Sequence, residues 1–505
     1  MSELPAVEAL PEPQLNELLR RADWRFLLRG TGAPHVADMT GGRDSRAIEL
    51  LAATGDPPAG LADVAAIGFP TRLALRAALD AVRPGGEVVC LWRVPRPLAV
   101  SRAAGRLRRA GLRDVRVLWA GPVPHRAPQF WLSLDSPEAL AHLLDGRPAR
   151  SAGQVVLRVL WRACARAGLL APLCAIGRVP GEDPEPPPGA IEAAFPASAG
   201  PLLLTGGQRS INKVVGLPFA PGGGEPQAVA KFSRVEAADE ALEREAAALR
   251  ALERDRPGVS GVPRLLATGK RAGRSSLVES AVHGAPLIAA LSPASFAELS
   301  TRVGEWLVGL AGGERRAREE WWPRLVGESL AHFERNFGEV VPADSLAVLR
   351  SLLGDIGEVP EACEHRDCSP WNVVLDERGA PGLLDWESAE AHGLPGLDLA
   401  YFLANCAFVL DGALESGRTR ESYERLLDPT TPYGAVAAER VTGYCDRLGL
   451  TGEDFARLRL LAWVVHSASD HTHLKMAAAG PPSHEALRGA TFLGLVEAEL
   501  DASGP

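Results

Sequence analysis

Short apolar runs alternate with stretches of helical spacing through the first third of the chain. HVADMT (35–40), ADVAAIGF (62–69), GEVVCLW (86–92), DVRVLWAG (114–121) and PQFWLSLD (128–135) predict strands. Between them, residues 43–53, 71–82 and 99–110 carry the three-to-four-residue spacing of helices. Strand and helix in alternation predict an α/β layer with a mainly parallel sheet. A second block opens with strand-like pieces at 201–204, 211–219 and 226–232, followed by a helix over 237–253 and further strand. From residue 287 the pattern is mostly helical apart from one hairpin. Between the blocks, RVPGEDPEPPPGAIEAAFPASAG (178–200) is rich in proline, acidic and small residues and predicts an extended, poorly packed linker. The expected domains are therefore an α/β domain over 1–177 that ends in a helix, a linker over 178–198, a small mixed lobe over 199–286 and a helical lobe over 287–505.

Composition narrows the classes. The chain of 505 residues has 54 basic and 63 acidic side chains, a net charge of −9, so no basic excess exists to neutralise nucleic-acid phosphates. With 46% hydrophobic and 23% charged residues it is an ordinary folded chain. Seven cysteines, an odd number with no C-x-x-C pair, suit free thiols in a reducing compartment better than disulfides or a zinc site. The start, MSELPAVEALPEP, lacks the basic and apolar regions of a secretory signal, and no apolar run approaches the roughly 18 residues that span a bilayer. A cytoplasmic location is expected. Only Lys213, Lys231, Lys270 and Lys475 are lysines, so arginine fills nearly every basic position and a retained lysine asks for a reason.

The densest chemistry lies in EHRDCSPWNVVLDERGAPGLLDWE, residues 364–387. NVVLD and PGLLDW flank turn residues around Arg378 and Gly379, which predicts a hairpin. Pairing about a centre between 378 and 379 sets Asn372 opposite Asp385, where an amide oxygen and a carboxylate converge as a site for a hard cation such as Mg2+. Asp367, five residues before Asn372, overhangs the same spot as a proton acceptor. Together these are the parts of phosphoryl transfer, and H-R-D-x-x-x-x-N followed 13 residues later by Asp matches the kinase pattern. Lys231 closes the strand-like run QAVAKF, placed to meet phosphates. In the following helix Glu245 shares a face with Leu242, Ala246, Leu249 and Leu252, and a carboxylate on that inward face takes Lys231 as its partner. Gly206, Gly207 and Ser210, between two strands, sit where a loop would cover nucleotide phosphates. SLVESAVHGAP (276–286) forms a link between lobes, with backbone groups from Glu279 to Ala281 facing the adenine.

On these residues the second block resembles the aminoglycoside phosphotransferase and choline kinase-like family, of protein-kinase-like fold, over about 300 residues through GLDLAYFL at 396–403. The resemblance implies a bilobal α+β domain using ATP and Mg2+. It also implies Asp367 as catalytic base, Asn372 and Asp385 as metal ligands, Lys231 on the nucleotide phosphates held by Glu245, and Asp398 as anchor of the catalytic loop. Only 12 residues separate Asp385 from Asp398, too few for a long activation segment, and Trp371 reads either as a surface for a sugar or a cation or as an ordinary packing residue.

AVRPGGEVVCLW and AGLRDVRVLWAGPVPHRAPQFWLSLDS resemble the later strands of an S-adenosylmethionine-dependent methyltransferase. The stretch ADMTGGRDS has no alternating glycines, so residues 1–177 read as a shortened, Rossmann-like, inactive relative. After it, Arg158, Arg162 and Arg166 form a stripe beside Leu157, Leu160, Trp161, Leu169 and Leu170. A helix packed on its own domain is preferred to one lying on a membrane or a partner protein. His466, His471, His473 and Asp470 read as packing and surface residues, not a metal site. The function expected is transfer of the ATP γ-phosphoryl group to a hydroxyl of a small molecule: an amino sugar, an amino alcohol or a sugar-related precursor. The alternatives are a non-catalytic nucleotide-binding regulator or scaffold, a bifunctional protein with an active methyltransferase, and a membrane-associated assembly factor.

Overall fold

The computed structural model describes residues 12–50, 52, 60–93, 99–122, 126–145, 152–167, 169–181, 190–196, 200–206, 213–477 and 481–502. The chain divides into two compact units, Met1–Glu243 with Leu265–Ala281, and Arg244–Arg264 with Val282–Pro505.

The first unit is built on one sheet of eleven strands. In chain order they are β1 (Val36–Met39), β2 (Ala62–Ile67), β3 (Val82–Trp92), β4 (Arg113–Gly121), β5 (Phe130–Ser133), β6 (Leu173–Arg178), β7 (Leu202–Leu204), β8 (Lys213–Leu217), β9 (Ala228–Ser233), β10 (Leu265–Arg271) and β11 (Arg274–Ser280). Their spatial order is β1-β2-β3-β6-β4-β5-β7-β8-β9-β11-β10. Alternation along the strands supplies two cores, because successive side chains point to opposite faces. Ala65, Ile67, Val88, Cys90, Val117, Trp119 and Leu132 enter one cluster, joined by Leu75, Ala103 and Leu107 from helices. Val64, Ala66, Val89, Leu118, Trp131, Ile176 and Leu203 enter the other, with Trp24, Phe26 and Ile48.

Each predicted strand of the first block forms, and helices occupy Gly42–Glu49, Arg72–Ala81 and Ala99–Arg109. Three expectations need correction. The sheet is not mainly parallel: β1, β2 and β3 run parallel, and every later pairing is antiparallel. The domain does not end in a helix, since LCAIGR forms β6 and inserts between β3 and β4. Nor do the units part at 178–198. The β5–β7 pairing, Phe130↔Leu204 through Leu132↔Leu202, carries the sheet across that stretch. Within it, Ala190–Ala194 forms a short helix whose Ile191 is buried beside Phe195, while 182–189 and 197–199 lie outside the described residues. The proline run signalled an interruption of the sheet, and two apolar residues beyond it were enough to seat the chain again.

A buried ion pair ties the same unit together. Arg234 meets Asp23 with two bonds, Nε–Oδ1 at 3.1 Å and Nη2–Oδ2 at 2.9 Å, and also donates to the Thr205 carbonyl at 2.8 Å. Both side chains are sealed from solvent. Such a pair resists removal of either partner, because the survivor is left buried and charged.

The Arg158 helix, Ala152–Arg166, reaches one core through Trp161, Cys164 and Ala165. Leu170 is buried, but Leu157 is 42% and Leu160 54% exposed, so its apolar surface is only part-covered by its own unit. Arg162 pairs with Asp145, and the Arg166 side chain lies outside those described.

The second unit is mostly helical. Its centre is Leu397–Asp411, buried without a break from Leu397 to Phe408, entered through Gly396 at φ +88° and left through Gly412 at φ +60°. Helices Phe296–Val308, Thr419–Leu427 and Gly452–Ala477 pack around it. Two three-stranded sheets complete the unit. One contains β12 (Ala285–Pro286), β15 (Val373–Leu375) and β16 (Pro381–Leu383); the other contains β13 (Ala311–Arg315), β14 (Pro360–Glu364) and β17 (Glu390–Gly393). Among the described residues no helix is long and apolar enough to cross a membrane. All seven cysteines are free thiols.

Candidate active site

The hairpin of β15 and β16 forms, one residue away from the predicted register. Val373 faces Leu383, Val374 faces Gly382 and Leu375 faces Pro381, so Asn372 stands opposite Leu384, whose N–H donates to its carbonyl at 3.0 Å. The turn explains the slip. Asp376 and Ala380 close a three-residue loop with Gly379 at φ +76°, and this centres the hairpin on Arg378. Asp385 therefore leaves the ladder. It takes a left-handed backbone, φ +72°, a conformation costing a non-glycine residue about 1 kcal/mol. The turn is held by Trp386, fully buried, whose indole donates to the Leu383 carbonyl at 2.9 Å.

The residues ahead of the hairpin fold back on themselves. Ser369 N–H donates to the Asp367 carbonyl and Asn372 N–H to the Ser369 carbonyl, a tight double turn that returns Asn372 to Asp367. The Asn372 amide nitrogen donates to Asp367 Oδ2 at 2.8 Å and to its carbonyl at 3.0 Å. Tyr401 adds a second side-chain hydrogen bond to Asp367. Burial, then the nearby Asp385 carboxylate, push the Asp367 carboxyl up to about 6 against these two bonds; Glu387 adds to the rise. Asp367 thus titrates nearer neutrality than an ordinary aspartate, and the rise reports Asp385 close by.

His365 and Asp398 hold this loop. Asp398 accepts from His365 N–H at 2.6 Å and Arg366 N–H at 2.8 Å, one on each oxygen, pinning Arg366 at φ +61°. Burial pushes its carboxyl up to about 7 even so. The His365 ring accepts the Asp367 N–H on Nδ1 at 3.2 Å and meets the Leu384 carbonyl through Nε2 at 2.9 Å, so Nε2 carries the proton and the ring bridges loop and hairpin. Glu364 binds Arg366 Nε at 2.6 Å and turns that side chain aside. Two supports escaped the sequence reading. Tyr401 lies three residues past Asp398, hence on the same helix face, so GLDLAYFL contained the signal. His466 stacks on Tyr401 at 3.9 Å and is kept neutral by burial, its pKa pulled down to about 3; nothing in HSASDHTH marked it. Asp470 accepts from Phe492 N–H, and no cluster of three or more His, Cys, Asp or Glu side chains suited to a metal occurs among the described residues.

In the first unit Lys231 is buried on β9, and its Nζ lies 2.9 Å from Glu279 Oε1 on β11. Lys231 faces Leu277 and Glu279 faces Val229, so the two are diagonal neighbours on one sheet face. Sequence reading placed only the Glu279 backbone in the site. The Ala281 N–H donates to the Gln227 carbonyl at 2.9 Å. Glu245 is fully buried on the helix Asp239–Asp255, beside Leu242, Ala246, Leu249 and Leu252, and accepts the Trp386 N–H at 2.9 Å. It thereby braces the turn that carries Asp385. Lys231 belongs to the first unit and Glu245 to the second. Gly206 has φ +81°, suited to a tight turn; Gly207 and Ser210 lie outside the described residues.

Residues 220–434 match the phosphotransferase enzyme family. That span holds Lys231, Glu245, Glu279, Asp367, Asn372, Asp385 and Tyr401. Among solved structures, the chain is similar to an aminoglycoside phosphotransferase from Streptomyces rimosus in complex with ADP and streptomycin, with 18% identity, 50% of this chain and 90% of that one covered, and a TM-score of 0.33. It is also similar to choline kinase from Streptococcus pneumoniae, with 16% identity, 59% and 92% covered, and a TM-score of 0.39. No curated protein matches the chain. The methyltransferase-like reading of residues 1–177 has no counterpart among these matches.

Proposed function

We propose that the protein is an ATP- and Mg2+-dependent phosphotransferase acting on a hydroxyl of a small molecule. The observation that carries this reading is Asp367, a carboxyl raised to about 6, gripped by Asn372 and Tyr401 and flanked by Asp385. The family match over 220–434 supports the same class.

Asp367 aligns the acceptor hydroxyl and takes its proton as the phosphoryl group transfers. The hydrogen bond from Asn372 Nδ2 fixes the carboxylate and leaves the amide oxygen as the atom available to a cation. Asn372 and Asp385 would hold Mg2+; the repulsion between Asp385 and Asp367 is what a divalent cation relieves, so the donor set fits. When bound, Mg2+ supplies charge neutralisation at the nucleotide phosphates. Lys231 binds those phosphates, positioned by Glu279. Trp386 and Glu245 keep Asp385 in its left-handed turn. With Asp385 taken up by Mg2+, Glu387 keeps the surroundings of Asp367 anionic, which favours an acceptor bearing an amine, such as an amino sugar or amino alcohol.

An ADP-release screen over alcohols with and without amino groups tests the reading. Release dependent on an amine-bearing alcohol is expected, reduced about 100-fold or more in Asp367→Ala. No acceptor-dependent release across the screen favours the regulator.

A further inference from the structure

The first unit contains a second concave site, at the carboxyl ends of β3 and β4. There Leu173 of β6 lies between Trp92 and Trp119, and the parallel pattern of the sheet breaks. Open α/β sheets bind ligands at such places. The cavity is shallow and partly open: its empty space of about 330 Å3 includes that open solvent. Arg21, Arg93 and Arg126 line it against a single carboxylate, Asp44. Arg93 pairs with Asp44 and Arg21 with Glu17, which leaves the Arg126 guanidinium in excess.

Arg21 is the informative residue. It is 2% exposed, and its Nη2 reaches Glu17 at 2.7 Å, yet Nε and Nη1 are buried with no partner among the described residues. The indole nitrogens of Trp92 and Trp131, which also line the cavity, are buried and unpartnered in the same way. An unsatisfied buried donor costs about 1–3 kcal/mol, and hydrogen bonds to a charged partner are the strongest remedy. The remaining walls are apolar, formed by leucine, alanine and proline side chains.

We propose that this cavity binds a small organic anion: one carboxylate or phosphate group held by Arg21 and the indole N–H groups, on a flat, largely apolar body. It is separate from the phosphotransferase residues and does not depend on their assignment. The excess positive charge also disfavours S-adenosylmethionine, whose sulfonium and ammonium groups are cationic.

Calorimetry on the full chain, with Mg-ATP saturating, tests this using benzoate, phenyl phosphate, neutral benzamide and S-adenosylmethionine. At least one of the two anions is expected to bind with submillimolar Kd, and benzamide at least about tenfold more weakly, a difference of about 1.4 kcal/mol. Arg126→Glu changes an exposed residue, so it should fold normally and weaken the anion about tenfold or more; Arg21→Met should abolish binding. Comparing benzoate with phenyl phosphate identifies the head group. The proposal is overturned if neither anion binds at about 10 mM, if benzamide or S-adenosylmethionine binds as tightly, or if Arg126→Glu binds like the parent.

Discussion

Replacing Asp367 with Asn should make the protein more stable at pH 8 while removing the proposed proton acceptor. The carboxyl titrates near 6 instead of 3.8, about two units of displacement, and each unit corresponds to about 1.4 kcal/mol. Holding the charge in the folded state at pH 8 therefore costs at most about 3 kcal/mol. Asn keeps one acceptor oxygen for Asn372 or Tyr401 and loses the other, so the net gain is about 1–2 kcal/mol. The sign follows from linkage: a raised acidic pKa contributes stability below the unfolded value near 4 and loses it as pH rises through about 6. Relative to the parent, Asp367→Asn should gain stability across pH 4 to 6 and hold that gain at higher pH. Thermal melts of the metal-free full chain without nucleotide should show the variant about 1–2 °C higher at pH 8 and about as much lower near pH 4, where only the lost hydrogen bond counts. A difference that is constant with pH, or a parent more stable at pH 8, refutes the buried-charge argument.

Tyr401→Phe removes a donor from the Asp367 carboxylate, so the acid limb of kcat/KM should move to higher pH with about a fivefold loss at pH 7; an unmoved limb argues that Tyr401 only packs. Asp398→Ala strips the acceptor from the His365 and Arg366 N–H groups and should cost about 3 kcal/mol, read as a lower melting temperature with accelerated amide exchange at 365–367. A chain beginning at residue 200 exposes the β7 edge and strands Arg234 without Asp23. It should aggregate on expression; a monomer with a cooperative melt would contradict the continuous sheet.

The individual elements were legible because each carries its own period: ADVAAIGF and GEVVCLW alternate, and DEALEREAAALRALE has one apolar stripe with Glu245 within it. What pairs with what was not. The β5–β7 ladder joins residues some 70 apart, and nothing local in PQFWLSLD or LLLT names the partner. LCAIG has the composition of either helix end or strand, and its neighbours in space decided. Within the site, types and spacing gave Asp367, Asn372 and Asp385, whereas the register slipped by one because Gly379 supplied a left-handed residue that lengthened the loop. Lys231 was found through the scarcity of lysine. Its Glu279 partner was missed because a diagonal contact between strands depends on register, which periodicity does not encode.

The most direct measurement is mass-spectrometric detection of one phosphoryl group gained by an amine-bearing alcohol, comparing the parent with Asp367→Asn under single-turnover conditions, with Mg2+ and with chelator. The parent should modify the acceptor only when Mg2+ is present, and the variant about 100-fold more slowly or less while still binding ATP. Equal phosphorylation by both proteins, or product formed in chelator at the Mg2+ rate, would contradict the role assigned to Asp367, Asn372 and Asp385.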